Sequence, residues 1–564
     1  MTSRSFILPV AFLAAAVCLP RRGECATPAG QIAIPRVERM PNIPQPFKMR
    51  DWRALAVAYD QFVFDPNLKG EFLPLLWWDD TRVNIDRVAF GIPSYVGSPN
   101  SKGANHEGIT CMGAILGATV AGIDKSKGEH NWVLMCEAYF NRKNGQNLVL
   151  NRTSAGTGGS FWYELWPHVL FYAIADRYPQ FEGLQQIVRT TADRWCEATV
   201  RLGGEKADFN HLAFDFAKMA PADNGRWTEP DAAAGVAWLE SAAWTRWRDP
   251  KHLQAADWAL GFIERRPRDQ GALYEVLMPF GVLAAARMNA ELGRRYDVDT
   301  MLHWCFDGNN VPRRGWGIIA ERWGGFDCHG LQGSIPDGGG YAFAMSTFAF
   351  PAALVPMVRY DARYARAIGK YVLNAANAAR LFYPDEHPED CQSSAFWKGD
   401  PQHVIPYEGI RKTWQGKNCV ATGDPIAHKW GPKTDLGLYG GSLVGLFGGL
   451  IARTNHEAIL RLDCLATDFF SPPSYPSYLY YNPYPAPKEV EIDLSSLVAP
   501  FRAHDLYDAV SNAFLAKGVQ GKASFTVPAD SAVLLVVAPA GGKLTYDGRK
   551  TLIDGVAVDF NNGR

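Results

Sequence analysis

Hydrophobic positions recur at three- and four-residue steps along most of this chain, which is the pattern of helices with an apolar face. The spacing continues to about residue 470 and predicts about twelve helices, joined by alternating short and long loops. The helix over 107–123 is rich in small residues throughout, so we expect it to be buried on all sides. The predicted helices are 51–65, 107–123, 160–179, 185–202, 229–249, 251–266, 274–293, 341–358, 363–382, 436–454 and 455–470.

The pattern changes at about residue 471, where helical spacing gives way to strand-like runs. The Pro- and Tyr-rich segment 471–487 is typical of a linker. Beyond it, short apolar runs between turn residues predict strands over 488–494, 523–529, 531–540, 542–548 and 556–560. We therefore predict a small antiparallel β-sheet or sandwich domain within 471–564.

The N-terminus has the layout of a secretory signal peptide. Residues 1–26 combine a basic start, a short apolar run and small residues around Cys25 and Ala26, and a Pro-rich lead follows over 27–48. This pattern predicts a secreted or periplasmic protein without a membrane span. The eight cysteines beyond residue 26 have no metal-ligand spacing, and we expect several to be buried apolar residues. Their pairing and any homo-oligomer stay open.

Composition narrows the classes of partner. The net charge is −1, so the chain lacks the positive charge that nucleic acids or anionic membrane surfaces attract. Aromatic residues make up 12% of the chain, and they suit both a large core and sugar-stacking surfaces.

Helical hairpins, an export signal and an appended β module together resemble the six-hairpin glycosidase superfamily. Within it, the chain resembles exported hydrolases that act on uronic acids, including the β-glucuronidases of glycoside hydrolase family 154. The resemblance implies a mainly α fold, an (α/α)6 toroid that forms the catalytic domain over 49–470. It also implies an acidic carbohydrate substrate and requires no cofactor or metal.

Glycoside hydrolysis needs two carboxyl groups, of which one protonates the leaving oxygen and the other activates water or attacks the sugar. The carboxyl group that donates the proton needs a raised pKa, and partial burial provides this. The best candidates are therefore acids in Gly- and Trp-rich loops at helix starts. Glu229, Asp231, Glu107 and Asp337 fit this description. Each could instead cap its own helix, since acids are favoured at helix N-termini. Three glycines follow Asp337 and could let the backbone approach a bound sugar.

Most candidate substrate-binding residues lie near these acids, while Arg411 and His428 lie in a second loop rich in Gly, Trp and Lys, 407–441, which also contains the acid Asp435. The Gly/Ser/Thr run before the helix at 160 offers backbone N–H groups to an anion such as a uronate carboxylate. Glu164 and His168 lie four residues apart, a spacing that can bind a metal, but HExxH is absent and we predict no metal. The predicted binding residues are His106, Trp227, Trp316, Arg322, His329, Tyr341, Arg411 and His428.

Three functions remain open at this point. The first is an exported hydrolase of uronic-acid-containing glycans, similar to a β-glucuronidase. The second is a polysaccharide lyase on the same toroid, in which Tyr341, Tyr407, His106 or His329 would abstract the proton beside the uronate carboxylate. The third is a glycan-binding protein without catalysis.

Overall fold

The computed structural model describes residues 30–98, 106–308, 316–334, 339–498 and 502–561. The predicted signal peptide lies outside these residues. The helices are α1 Pro35–Glu38, α2 Trp52–Val63, α3 Gly108–Val120, α4 Trp132–Met135, α5 Phe161–Arg177, α6 Glu182–Arg201, α7 Ala232–Trp247, α8 Pro250–Glu264, α9 Leu277–Leu292, α10 Val298–Asp307, α11 Ala344–Tyr360, α12 Ala365–Ala378, α13 Asp424–His428, α14 Leu438–Gly441 and α15 Val444–Leu450.

The long helices form two concentric rings. Helices α3, α5, α7, α9 and α11 each contact the next one, and the pair α14 and α15 contacts both α11 and α3, which closes an inner ring. Helices α2, α6, α8, α10 and α12 pack against the outside of this ring. The fold is therefore an (α/α)6 toroid, and most of the predicted helices are confirmed.

Glycines allow the ring to close between α3 and α15. A Cβ atom on Gly117 would lie 2.2 Å from the carbonyl oxygen of Ser442, and one on Gly445 would lie 2.0 Å from that of Gly117. No side chain fits at these distances, so the two backbones meet only because both positions are glycine. The small-residue pattern predicted for 107–123 thus reflects close helix packing.

Among the described residues, the strands form four sheets before β12, three of them two-stranded, and three more sheets from β12 onward. The strands are β1 Trp77–Asp79, β2 Ala89–Gly91, β3 Ala213–Asp215, β4 Ala220–Ala222, β5 Trp316–Ile318, β6 Arg322–Trp323, β7 Phe326–Asp327, β8 Gln332–Ser334, β9 Tyr341–Phe343, β10 Gly409–Trp414, β11 Lys417–Ala421, β12 Ile451–Arg453, β13 Leu460–Asp463, β14 Ser477–Asn482, β15 Lys488–Asp493, β16 His504–Asp508, β17 Ala513–Val519, β18 Lys522–Val527, β19 Ser531–Pro539, β20 Leu544–Asp547, β21 Lys550–Ile553 and β22 Val556–Asp559. A five-stranded antiparallel sheet has the order β11-β10-β9-β8-β5, and a six-stranded one has the order β12-β13-β14-β19-β16-β17.

The six-stranded sheet is a layer between the toroid and a second small sheet. In β14, Tyr478 and Tyr480 belong to a core shared with β15 and β18, while Leu479 and Tyr481 belong to the main core. Tyr481 packs against α12, because a Cβ added to Gly369 of that helix would lie only 2.5 Å from the Cβ of Tyr481. Successive side chains of a strand point to opposite faces, so this strand joins the two layers.

Two sequence predictions about this region are wrong. The helix predicted over 455–470 is absent, and strand β13 lies there instead, with Leu460 and Leu462 buried and Arg461 and Asp463 half-buried. The predicted linker contains β14, whose side chains are all buried. The strands predicted farther along are confirmed as β15, β18, β19, β20 and β22.

None of the helices in the described part of the chain is long and apolar enough to cross a membrane. The eight cysteines beyond residue 26 are all free in the structure, and all but Cys391 are buried.

Candidate active site

A cavity of about 460 Å³ lies where the inner helices begin. Its walls include Glu107 before α3, Trp162 at the start of α5, Glu275 before α9, Tyr341 before α11 and Tyr439 in α14. Helix N-termini carry a partial positive charge and unpaired N–H groups. Their convergence on one cavity favours a ligand with a negative charge.

Glu107 has the properties of a proton donor. Its carboxyl oxygens accept hydrogen bonds from the Ser94 hydroxyl and, at 3.2 Å, from the side-chain amide of Asn151. Burial raises the pKa of Glu107, although Ser94, Arg152 and Asn151 act in the opposite direction. A carboxyl group that faces a cavity and keeps its proton to a higher pH than an ordinary glutamate can protonate a leaving group.

Glu408 is held by four hydrogen-bond donors. Its Oε1 accepts the hydroxyls of Tyr95 and Tyr439 at 2.5 Å each. Its Oε2 accepts the Tyr341 hydroxyl at 2.9 Å and the Asp424 backbone N–H at 2.5 Å. Burial and then the neighbouring Asp424 carboxylate raise the pKa of Glu408, against the effect of these donors.

These contacts fill the acceptor positions of the Glu408 carboxylate, which number about four. Glu408 therefore has no free lone pair with which to attack a sugar, and it orders the three tyrosine hydroxyls instead. Burial and then the Glu408 charge raise the pKa of Tyr95, Tyr341 and Tyr439 well above that of an ordinary tyrosine. These phenols stay protonated near neutral pH and act as donors rather than bases.

Two cations line the cavity near Glu107. His106 Nε2 donates to Asp79 Oδ2 at 2.9 Å, and its Nδ1 donates to the Tyr139 hydroxyl. Burial disfavours its charged form, but the hydrogen bonds to Asp79 and Cys111 outweigh this and raise the pKa of His106 to about 9. The exposed guanidinium of Arg152 makes no hydrogen bond or ion pair with any residue that the structure describes.

Aromatic side chains and further acids complete the walls. Trp316 lines the cavity edge-on to Tyr274, with ring centroids 5.7 Å apart. Tyr163 and Trp430 are 50% and 57% exposed, so their faces are available to a sugar ring. Glu275 also lines the cavity, in a left-handed backbone conformation with φ of 57° that is uncommon for glutamate.

The sequence-predicted acids Glu229 and Asp231 lie behind the wall and do not line the cavity. Glu229 accepts the Trp162 N–H at 2.9 Å and the Ser160 hydroxyl at 2.8 Å, so it caps α5 rather than its own helix. Glu229 thereby occupies the N-terminus of α5, at which the sequence predicts that an anion from outside the protein binds. Asp231 accepts the Tyr274 N–H at 2.9 Å, and burial raises the pKa of Asp231 well above its usual value.

Asp337 lies outside the described residues, and its catalytic role stays a prediction. The helix predicted to begin at residue 341 begins at Ala344, after strand β9. The two described glycines after Asp337 lie just before β9, which pairs with β8: a Cβ on Gly339 would lie 2.4 Å from the Ser334 carbonyl oxygen. Gly340 has φ of 68°, where other residues are strained.

Five predicted binding residues do not line the cavity. Arg322 is exposed and donates hydrogen bonds to the backbone carbonyls of Gln45 and Gly325. His329 forms a hydrogen bond with Asp327. Trp227 is half-buried and is not among the residues that line the cavity. Arg411 lies behind the wall, 4.4 Å from the centroid of the Tyr341 ring.

His428, the fifth, is exposed beside the cavity and stacks on Trp430 with ring centroids 5.7 Å apart. Of the predicted binding residues, His106, Trp316 and Tyr341 line the cavity, and they do so together with the predicted acid Glu107.

The spacing of Glu164 and His168 does not produce a metal site. The Glu164 carboxylate accepts the backbone N–H groups of Gly158 at 2.6 Å and Phe214 at 3.0 Å. Both nitrogens of His168 bond backbone groups, the N–H of Val149 and the carbonyl of Glu164. Burial raises the pKa of Glu164 to about 8 and lowers that of His168 to about 3.

The cavity residues that sequence reasoning missed include Glu408, Tyr95, Tyr439 and Arg152. Glu408 lies in the Gly- and Trp-rich loop 407–441, which the sequence singles out for its cations and for another acid. Its position between a tyrosine and a glycine carries no sign of the three hydroxyls that surround it.

Similar solved structures are carbohydrate-active enzymes at low identity. An unsaturated glucuronyl hydrolase from Streptococcus agalactiae is 11% identical, with 71% of this chain and 88% of that chain covered and a TM-score of 0.37. A cellobiose 2-epimerase from Bacillus thermoamylovorans is 8% identical, with 70% and 99% covered and a TM-score of 0.41. A β-L-arabinofuranosidase from Geobacillus stearothermophilus is 11% identical, with 80% and 75% covered and a TM-score of 0.31. No family model and no curated protein matches the chain.

Proposed function

We propose that this protein is an exported glycoside hydrolase that removes uronic acid from glycans, in the manner of a β-glucuronidase. The observation that carries the proposal is the presence of Glu107, with its raised pKa, and the unpaired Arg152 guanidinium in one cavity. Glu107 supplies the proton that glycoside cleavage needs. Arg152 offers the planar pair of donors that a uronate carboxylate accepts.

Each group around the cavity then has a role in the reaction. Glu107 protonates the glycosidic oxygen as the bond to the anomeric carbon breaks. A water molecule then adds to that carbon and returns a proton to the Glu107 carboxylate. Glu408, whose four hydrogen-bond donors favour its charged form against the effect of burial, is placed to stabilise the positive charge on the sugar ring, and its tyrosines keep oxygen lone pairs for sugar hydroxyls. Arg152 balances the charge of the uronate, since the charge of His106 is already paired with Asp79.

The cavity size favours an enzyme that acts on a terminal sugar. A volume of about 460 Å³ lies within the range of small-molecule sites rather than that of a long polysaccharide cleft. Trp430 and Tyr163, both exposed, are positioned to stack on the sugar that leaves.

Activity on a β-glucuronide and the matched β-glucoside tests this proposal. We expect the purified protein to release glucuronic acid from an aryl glucuronide and from a glucuronic-acid-terminated oligosaccharide. A product with the ultraviolet absorbance of an unsaturated uronate would identify a lyase and overturn the proposal. Binding of the oligosaccharide without turnover would identify a glycan-binding protein and overturn it too.

Arg152→Gln tests the recognition of the carboxylate. Loss of a charge-assisted pair is expected to lower kcat/KM for the glucuronide by about 10–100-fold, since such bonds contribute about 1.5–3 kcal/mol. Any activity on the glucoside, which has no carboxylate, should change little.

The matched control is Arg201→Gln, at an exposed position on α6 away from the cavity, which should leave both activities unchanged. An equal loss on both substrates in Arg152→Gln would contradict a role in carboxylate recognition.

A further inference from the structure

A second cluster of reactive side chains lies between three helices away from the cavity. Cys196 of α6, Glu240 of α7 and His252 of α8 are buried, and their ligand atoms all lie within 4.8 Å of one another. None of them lines the candidate active site. The three side chains come from helices that pack on each other, the inner helix α7 and the outer helices α6 and α8.

The hydrogen bonds of this cluster leave one carboxylate oxygen unused. His252 Nδ1 lies 2.7 Å from Glu240 Oε2, while Glu240 Oε1 has no hydrogen-bond partner in the described chain although the side chain is fully buried. Buried polar atoms are nearly always paired, so this oxygen requires an explanation. The ion pair with His252 alone does not account for it, and the adjacent Cys196 thiol has only the Lys251 carbonyl oxygen, 3.7 Å away, as a hydrogen-bond acceptor.

We propose that Cys196, Glu240 and His252 bind one Zn²⁺ ion. Thiolate, imidazole and carboxylate are the ligands that Zn²⁺ takes in proteins, usually in a four-coordinate arrangement that water can complete. Binding releases the Cys196 thiol proton and the proton shared by His252 and Glu240 to solvent. The thiolate and the carboxylate then neutralise the charge of the metal.

Asp193 is placed to accept a hydrogen bond from the nitrogen of His252 that does not bind the metal. When His252 Nδ1 binds the metal, its Nε2–H points to Asp193 Oδ1, which lies 3.4 Å away. A carboxylate in this position fixes the ring orientation and strengthens the ligand. Asp193 is paired with Lys251 at 2.9 Å, so its own charge is balanced. The ion would tie α6, α7 and α8 together, a structural rather than a catalytic role.

Metal titration of the tag-free, chelator-treated protein tests this site directly. We expect about one equivalent of Zn²⁺ per chain after dialysis, measured by elemental analysis, with a rise in melting temperature. Co²⁺ alone should give a thiolate-to-metal charge-transfer absorption. Absence of both the bound equivalent and the cobalt–thiolate band in the wild-type protein would overturn the proposal, whether or not any variant folds.

Variants locate the ion. Cys196→Ser should lose the cobalt–thiolate band, and Asp193→Asn should weaken Zn²⁺ binding by about 10–100-fold. Cys391→Ser, at the partly exposed cysteine, should leave both unchanged. Metal binding that persists unchanged in Cys196→Ser would overturn the assignment. Glu107→Gln should bind metal normally, so this result is independent of the glycosidase proposal.

Discussion

Glu107→Gln is expected to lower kcat/KM for an alkyl or oligosaccharide glucuronide by about 10²–10⁴-fold, the usual contribution of a general acid. The amide keeps the hydrogen bonds to Ser94 and Asn151 within reach but has no proton to transfer. An alkoxide leaves poorly without protonation, so the loss should be largest where the leaving group is most basic.

The leaving-group dependence separates acid catalysis from a general loss of the site. A dinitrophenyl glucuronide needs little protonation, and Glu107→Gln should cleave it at a rate much closer to that of the wild type. The wild-type activity on the alkyl substrate should fall as pH rises through the raised pKa of Glu107, and the variant should lack this decline. Equal losses on both substrates with an unchanged pH profile would contradict the role of Glu107.

A matched substitution on the outer surface controls for the change of charge. Glu197 lies exposed on α6 and pairs only with Arg194 among the residues that the structure describes. Glu197→Gln should therefore leave turnover and its pH dependence unchanged.

The helical ring was largely accessible from sequence because its signals are local. Apolar spacing marks the long helices, and the small residues of α3 indicate close packing that the contact of Gly117 with Ser442 explains. The five-stranded sheet was not accessible, since its central strands β8 and β9 have three residues each, too few for a period of two to stand out. Its register depends on pairing between distant segments, and no local pattern encodes this.

The site divides in the same way. Glu107 could be expected at the cavity because it directly precedes a helix of small residues that the sequence predicts to be buried. The properties of Glu408 arise from Tyr95, Tyr341 and Tyr439, which only the closed ring brings together. Glu229 shows the limit of local reasoning, since an acid at one helix start caps the neighbouring helix.

Asp468→Asn is expected to destabilise the fold by about 3–5 kcal/mol, the cost of leaving buried charges unpaired. Asp468 is fully buried and bonds Arg287 of α9 at 2.5 Å, Arg359 of α11, and the Tyr360 hydroxyl at 2.9 Å. The amide removes the negative charge of the carboxylate that hydrogen-bonds both guanidiniums and turns an acceptor into a donor facing them. Because domains are stable by only about 5–15 kcal/mol, this loss is a large fraction of the total.

Urea unfolding followed by tryptophan fluorescence measures the effect as a lower midpoint with an unchanged slope. The control is Asp390→Asn, because Asp390 pairs with Lys417 at 2.8 Å on the surface, with 70% and 44% of their side chains exposed. An exposed pair contributes about 0–1 kcal/mol, since water solvates either partner when the other is removed. Equal shifts in the two variants would contradict a special role for Asp468. A selective shift would mean that this carboxylate joins two inner helices to the segment after β13, so that the ring and the β-region unfold together.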